Sequence, residues 1–435
     1  MTSSAAAGPT GAWSCRPGHA EPGSAGSAGR ISLAFDDGGT DAPLPQALPD
    51  LHGDLAQTAV VNHDAGTGDL TISSSDAGAL GLRKPLDVVA HAGADSNPKP
   101  DGGRHLSAAG SPAGPEPGPG VTAAAIERAA ADLAPYLRPT PLQFSRAITA
   151  KVRCEVHLKL EGVQPIRAFK VRGALNKVIR MSPAERARGV VTASAGNHGQ
   201  GVAYSALAFG IPATVYVPAR ANPLKVESIR RMGARVIEHG ASYQEAFLEA
   251  QARAGQMTFI HAYDDPEVIA GQGTIGVELL AALAAFDTVI IPIGGGGLIA
   301  GIATYLKERM PAARIIGVEP SGAACMKRSF EAGRPVTLER VSTIADGLAA
   351  SRPGTLCFEI ARRCVDELLI VEEDEMLRAI RLYFSWEHLL AEPAGAAALA
   401  GLLYRYSPSP GERVVVLLSG ANVTDEVMLR ALKSR

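Results

Sequence analysis

Four short segments of this 435-residue chain hold residue types at spacings that can do chemistry. In VIIPIGGGGLIAGIA an apolar run, Val289 to Ile293, leads into Gly294, Gly295, Gly296 and Gly297, with a helix predicted from Leu298. Glycines carry no Cβ, so consecutive amides can turn inward, and the helix start adds the positive end of its dipole. Together they suit a phosphate dianion, although a tight packing turn uses the same residues. The run is neither a Walker loop, having no GK[ST], nor a GxGxxG dinucleotide fingerprint. In LKLEGVQPIRAFKVRGALNKV, Lys170 follows Phe169 at a predicted helix start in apolar surroundings. Desolvation there would lower its pKa and free an amine for Schiff-base chemistry; a solvated lysine on a helix face would do neither. VVTASAGNHGQGVAYSA sets Ser194, Gly196, Asn197 and His198 between a strand and a helix predicted from near Gly199. Such donors grip a carboxylate or simply cap a helix, and a single histidine is commonly structural. In VVVLLSGANV, Ser419 lies just past an apolar strand, with Gly420 and Asn422 after it, where a plain turn would look the same.

The elements that must position these residues are short apolar runs alternating with helical stretches. Strands are expected at Glu155 to Leu160, Gly189 to Thr192, Ala213 to Val217, Ala234 to Ile237 and Met257 to Ile260. Further strands are expected at Thr288 to Ile293, Ile315 to Val318, Leu368 to Val371 and Val414 to Leu418. Helical spacing runs from Ile126 to Leu133 and from Phe169 to Ile179. β-branched runs bounded by Gly or Pro and separated by helices predict an α/β fold of mostly parallel open sheets covered by helices. In such sheets ligands gather beyond the carboxyl ends of the strands, where all four segments fall.

Residues 1–120 read differently. They hold six basic against thirteen acidic residues and only two aromatics, Trp13 and Phe35, in a background of Ala, Gly, Ser and Pro. So little apolar surface cannot offset the entropy of ordering, so a low-complexity, disordered leader is expected, with local structure conceivable at Leu51 to Val61 and Leu86 to Val89. It has no apolar h-region of a signal peptide. Val121 opens the first well-patterned segment and is an alternative candidate for the native start. Over the whole chain, 42 Lys+Arg nearly balance 44 Asp+Glu, giving no basic excess for nucleic acid or a membrane surface. No apolar run approaches the ~20 residues of a bilayer span, and the five cysteines form neither a disulfide framework nor a CxxC pair. A cytoplasmic location is expected.

Taken in order, the segments resemble one family. FKVRGA around Lys170, SAGNHGQG at Ser194 to Gly201, IAGQGTIGVE at Ile269 to Glu278, GGGGLIAG at Gly294 to Gly301, ADG at Ala345 to Gly347, EPAGA at Glu392 to Ala396 and SGAN at Ser419 to Asn422 carry the likeness. The chain from Val121 onward, about three-quarters of it, resembles the fold-type II pyridoxal-phosphate enzymes, in the threonine/serine dehydratase and serine racemase branch. The resemblance implies a two-lobed tryptophan synthase β-like fold, with a large lobe at about 121–187 and 265–435 and a small lobe at about 188–264. It implies that Lys170 holds pyridoxal 5'-phosphate and shuttles the Cα proton, that Phe169 packs beside the ring, and that amides of Gly294, Gly295, Gly296, Gly297 and Leu298 hold the phosphate. Asn197 would bond the phenolic oxygen, Ser419 would face the pyridine nitrogen, and Ser194, Asn197 and His198 would line the substrate-carboxylate pocket.

The implied reaction dehydrates and deaminates a 3-hydroxy amino acid, threonine or serine first, to a 2-oxo acid and ammonia, in a homo-oligomer. Ala168 stands where the family commonly has Ser or Thr, which leaves phenylserine or hydroxyaspartate as alternatives. Ala195 replaces the second serine of the racemases and disfavours racemisation; a silent cofactor-binding homologue is a further alternative. Glu319 matches a family cation ligand, but its partner position is Cys325, and thiolate suits Mg²⁺ or Ca²⁺ poorly. No metal is therefore expected, and Glu319 is read as a local cap. The chain ends 16 residues beyond Ser419, so feedback through a C-terminal regulatory domain is not expected.

Overall fold

In the computed structural model the described residues are 59–63, 70–74, 120–221 and 223–434. The chain divides into two compact units, Met1–Ala109 and Gly110–Arg435. In the first, β1 (Ala59–His63) and β2 (Leu70–Ser74) pair antiparallel, with Ala59 opposite Ser74 and His63 opposite Leu70. Otherwise the expectations for residues 1–119, Leu86 to Val89 included, lie outside the described residues.

The second unit begins with a capped helix, Ala123–Leu133, where the Thr122 side chain accepts the Ala125 N–H. Its strands are β3 (Leu142–Phe144), β4 (Glu155–Leu160), β5 (Val190–Ala193), β6 (Ala213–Val217), β7 (Arg235–Glu238), β8 (Thr258–Phe259), β9 (Thr288–Pro292), β10 (Arg314–Pro320), β11 (Glu367–Val371) and β12 (Arg413–Leu418). They form two sheets, ordered β11-β10-β9-β12-β4-β3 and β7-β6-β5-β8. All pairs are parallel except β3 with β4. The central parallel strands β9 and β12 are buried on both faces, which is why they read as nearly unbroken apolar runs. In β12, Val414, Val416 and Leu418 enter one core, packed with Met376, Ile380 and Leu399. Val415 and Leu417 enter the other, with Ile269, Ile299 and Ile302. Alternate residues thus serve opposite helical layers.

Two features differ from the sequence expectation. The antiparallel edge strand β3 is absent from it, because three residues are too few to show a period. Helices begin at Asn197 and Gly297, one or two residues earlier than expected. Glycine's low helix propensity places such starts too late, yet at a helix end its freedom carries little penalty.

Beneath the site lies a buried ion network. Arg172 is 2% exposed, and its guanidinium meets Glu161 at 2.7 Å and Glu278 at 2.6 Å. Lys159 Nζ donates to Glu278 Oε2 at 2.6 Å, and Thr140 Oγ1 to Glu161. Two cations offset two anions, so no charge is left unpaired. The network ties the end of β4 to helices Lys170–Arg180 and Pro266–Ala282, fixing where the first of them starts.

Candidate active site

The carboxyl ends of β4, β5, β9 and β12 lead into the four segments singled out above. Past β4 the chain turns through Arg167, whose φ of 60° lies in the left-handed region. Ala168 then bridges Gly420 antiparallel, Phe169 N–H donates to the Ser419 carbonyl at 3.1 Å, and Ala421 N–H to that of Arg167 at 2.8 Å. These bonds sew the segments beyond β4 and β12 together and set Lys170 as the first residue of its helix. Its Nζ donates to the Ala262 carbonyl at 2.8 Å and lies 5.1 Å from the Phe169 ring centroid. The residue is half-buried, and desolvation by the surrounding groups lowers its pKa from 10.5 to about 8.

Beyond β9, the turn is crowded on every side. A Cβ on Gly295 would stand 2.4 Å from the Tyr263 ring; one on Gly297 would be 2.7 Å from Gln272 Oε1. Gly296 has φ +100°, and a Cβ there would also meet Met326 and Cys357. Gly294 faces Leu348, 3.1 Å from the corresponding point. Helix Gly297–Arg309 starts with no side-chain cap, so its first amides and the positive end of its dipole meet no capping side chain.

The segment leading from β8 serves the same centre. His261 Nδ1 accepts the N–H groups of Tyr263 and Asp264, and the Asp264 carboxylate accepts those of Thr355, Leu356 and Cys357. Asp264 therefore caps helix Thr355–Cys364 from a distant part of the chain. The Cys357 thiol donates to the Tyr263 carbonyl at 3.3 Å, and burial holds it well above the ordinary thiol range.

Asn197 and His198, adjacent in sequence, part company. Asn197 Nδ2 donates to Glu392 Oε1 at 2.6 Å, and its Oδ1 accepts from Asn422 Nδ2 at 2.7 Å. His198 is 4% exposed, with Nε2 3.0 Å from the Ile260 carbonyl and Nδ1 without a partner. Burial, then the nearby Lys170 charge, pushes its pKa down to about 3. The ring is neutral and enclosed, so it brings no cation to a carboxylate. Ser194 Oγ accepts the Gly196 N–H at 3.1 Å. Ser419 is buried, and its hydroxyl donates to the Ala394 carbonyl at a long 3.4 Å. In the sequence Glu392 and Asn422 are visible only as members of motifs, with no role attached.

Glu319 lies off this centre. Its carboxylate accepts the N–H groups of Met326 and Lys327, both at 2.8 Å, at the start of helix Cys325–Ala332. Burial raises it to about 7. Cys325 directs its thiol to the Gly294 carbonyl at 3.7 Å.

A family profile described as pyridoxal-phosphate dependent enzyme matches residues 133–420. An L-threonine ammonia-lyase of Thermotoga maritima is 40% identical over 306 residues, 70% of this chain and 76% of that protein. Among solved structures, maize serine racemase superposes with a TM-score of 0.69 at 33% identity, covering 72% of this chain and 97% of its own. The processed form of threonine deaminase isoform 2 from Solanum lycopersicum does so with 0.67 at 32% identity, covering 73% and 98%. The profile spans well over half the chain, the solved folds agree, and the desolvated lysine, uncapped glycine turn and paired strand ends converge on one centre; the chain belongs to the pyridoxal-phosphate dependent enzymes.

Proposed function

We propose that the chain is an ammonia-lyase that dehydrates and deaminates a 3-hydroxy amino acid, threonine or serine in first place, to a 2-oxo acid and ammonia. The observation that carries this reading is the desolvated Lys170 amine set where four strand ends meet. Relatives of 40% identity and above named L-threonine ammonia-lyase or L-threonine dehydratase support it.

The residues fit pyridoxal phosphate. The turn Gly294–Gly297 is packed too closely against its neighbours to admit a Cβ, which suits a turn that works through its backbone amides, and its helix start without a side-chain cap favours a dianion. Lys170 would hold the cofactor, Phe169 would flank its ring, Asn197 would donate to the phenolic oxygen, and Ser419 would offer the ring nitrogen a neutral hydroxyl. When bound, the cofactor supplies an electrophilic carbon for the substrate amine and an electron sink for the Cα carbanion. Lys170 Nζ then takes the Cα proton, a task eased by a pKa lowered to about 8, at which half of the amines are free of their own proton. Ser194 and the main-chain N–H of Asn197, at the helix start, would orient the substrate carboxylate, with neutral His198 enclosed beside them. The β-hydroxyl would leave as water, its added proton balanced by the one that Lys170 removes from Cα, and water would return to release ammonia and the 2-oxo acid.

Ala195 follows Ser194 where an opposite-face acid would be needed, and a methyl group carries no proton, which favours elimination over racemisation. The two sheets support a division into lobes at about 121–187 with 265–435, and 188–264. Assembly as a homo-oligomer in the cytoplasm accompanies this reading; no helix among the described residues is long and apolar enough to cross a membrane. A panel of threonine, serine, phenylserine and 3-hydroxyaspartate assayed for ammonia, 2-oxo acid and the D-enantiomer tests it. Ammonia and 2-oxo acid in equal amounts are expected. Enantiomer without ammonia would make the chain a racemase, and neither product would leave a binding protein.

A further inference from the structure

Glu392 is a buried titratable group that the reaction above does not use. It precedes helix Pro393–Tyr404 at the N-cap position, yet its side chain makes no capping bond. Its main chain is pinned, N–H to the Gly420 carbonyl at 3.1 Å and carbonyl to the Ala396 N–H at 2.9 Å. Its carboxylate is wedged against Gly420, where a Cβ would stand 2.1 Å from Oε1. One oxygen accepts from Asn197 at 2.6 Å, and the other is buried without a partner. An orphaned carboxylate oxygen is costly, so the side chain is kept here for something other than stability. Burial, then Asp346, raises its pKa to about 7, against the opposing pull of Lys225, itself paired with Asp346, and of Asn197.

The Asn197 amide is thereby held from both ends. Asn422, which also donates to the Ile166 carbonyl at 2.9 Å, supplies a proton to Oδ1, while Glu392 takes one from Nδ2. Turned over, the amide would set oxygen against carboxylate and nitrogen against nitrogen. Nδ2 has two protons, and only one is committed to Glu392.

We propose that Glu392 is a positioning residue: by accepting from Asn197 it fixes that amide with its second N–H presented to the phenolic oxygen of pyridoxal phosphate. This rests on the cofactor reading above. The test uses the holoenzyme, with the visible absorbance maximum of the bound cofactor and its dissociation constant as readouts beside turnover. Glu392→Leu should weaken cofactor binding about tenfold, the ratio of one charge-assisted hydrogen bond, and shift the absorbance maximum. Glu392→Gln, which retains an acceptor, should restore both to within about twofold. On an Asn197→Ala background, Glu392→Gln and Glu392→Leu should change neither, because the effect passes through that amide. Unchanged affinity and absorbance in Glu392→Leu, or equal added losses on the Asn197→Ala background, would overturn the proposal. Should the Leu variant not fold, the Gln pair decides: retained binding in the single variant with no further change in the double supports it, and additive loss refutes it. A wild-type chain with no cofactor on Lys170 would overturn the cofactor reading and this proposal together, whereas the other failures touch the proposal alone.

Discussion

The amine of Lys170 offers a direct measurement. An ordinary lysine at pH 7.5 is neutral in about 0.1% of molecules, whereas one titrating at about 8 is neutral in about a quarter, a gain of roughly two-hundredfold in reactive amine. The fall from 10.5 to about 8 also corresponds to about 3 kcal/mol at neutral pH that the cofactor-free fold forgoes by burying a cation. Between those two values the unfolded chain binds more protons than the folded one. This group's contribution therefore makes the cofactor-free protein more stable as pH rises from about 8 to 10.5. The perturbation is a pH series on protein stripped of cofactor, mixed with pyridoxal phosphate, quenched with borohydride and mapped by peptide mass. Adduct at Lys170 should form with a pH midpoint near 8. Lys170→Ala should lose both the adduct and turnover. A midpoint at 10 or above for Lys170, or a first adduct on another lysine, would refute the desolvation reasoning.

Three further outcomes follow from the packing. Gly296→Ala should lower cofactor affinity and thermal stability together, by about 2 kcal/mol or more, because a positive φ and contacts with Met326 and Cys357 coincide there; titration and melting would show it. Arg172→Leu leaves Glu161 without its cation and Glu278 with Lys159 alone, and should cost about 3–5 kcal/mol in denaturant unfolding. Glu319, raised to about 7 in the fold from an ordinary 4.5, makes the folded state the better proton binder in between, so its contribution to stability declines as pH climbs through that window. Melts of Glu319→Gln from pH 5 to 8 should accordingly be flatter than those of the wild type.

The parallel strands are legible in the sequence because burial on both faces forbids polar interruption, and β9 and β12 show it plainly. The glycine turn and Lys170 stand out for the complementary reason, being residue types that an apolar strand-to-helix junction does not otherwise need. Pairings across long separations are not legible. Arg172 meets Glu161 eleven residues back and Glu278 more than a hundred ahead, and no periodicity links them. Glu392 is hidden by its position, since an acidic residue before a helix ordinarily reads as a cap. Successive residues of a helix point about 100° apart, so Asn197 and His198, adjacent in sequence, meet different partners, Glu392 and the Ile260 carbonyl.

The stretch Ala262–Tyr263–Asp264 has a consequence for how the protein can vary. Its three consecutive residues accept the lysine amine's hydrogen bond, pack against Gly295 of the glycine turn and anchor a remote helix. Each task fixes a different direction in space, so adding or removing a single residue there would satisfy one anchor only by releasing the other two. Length variation among related chains should be tolerated in the surface connections and shut out of this tripeptide, and an engineered insertion would find it among the least forgiving places in the molecule.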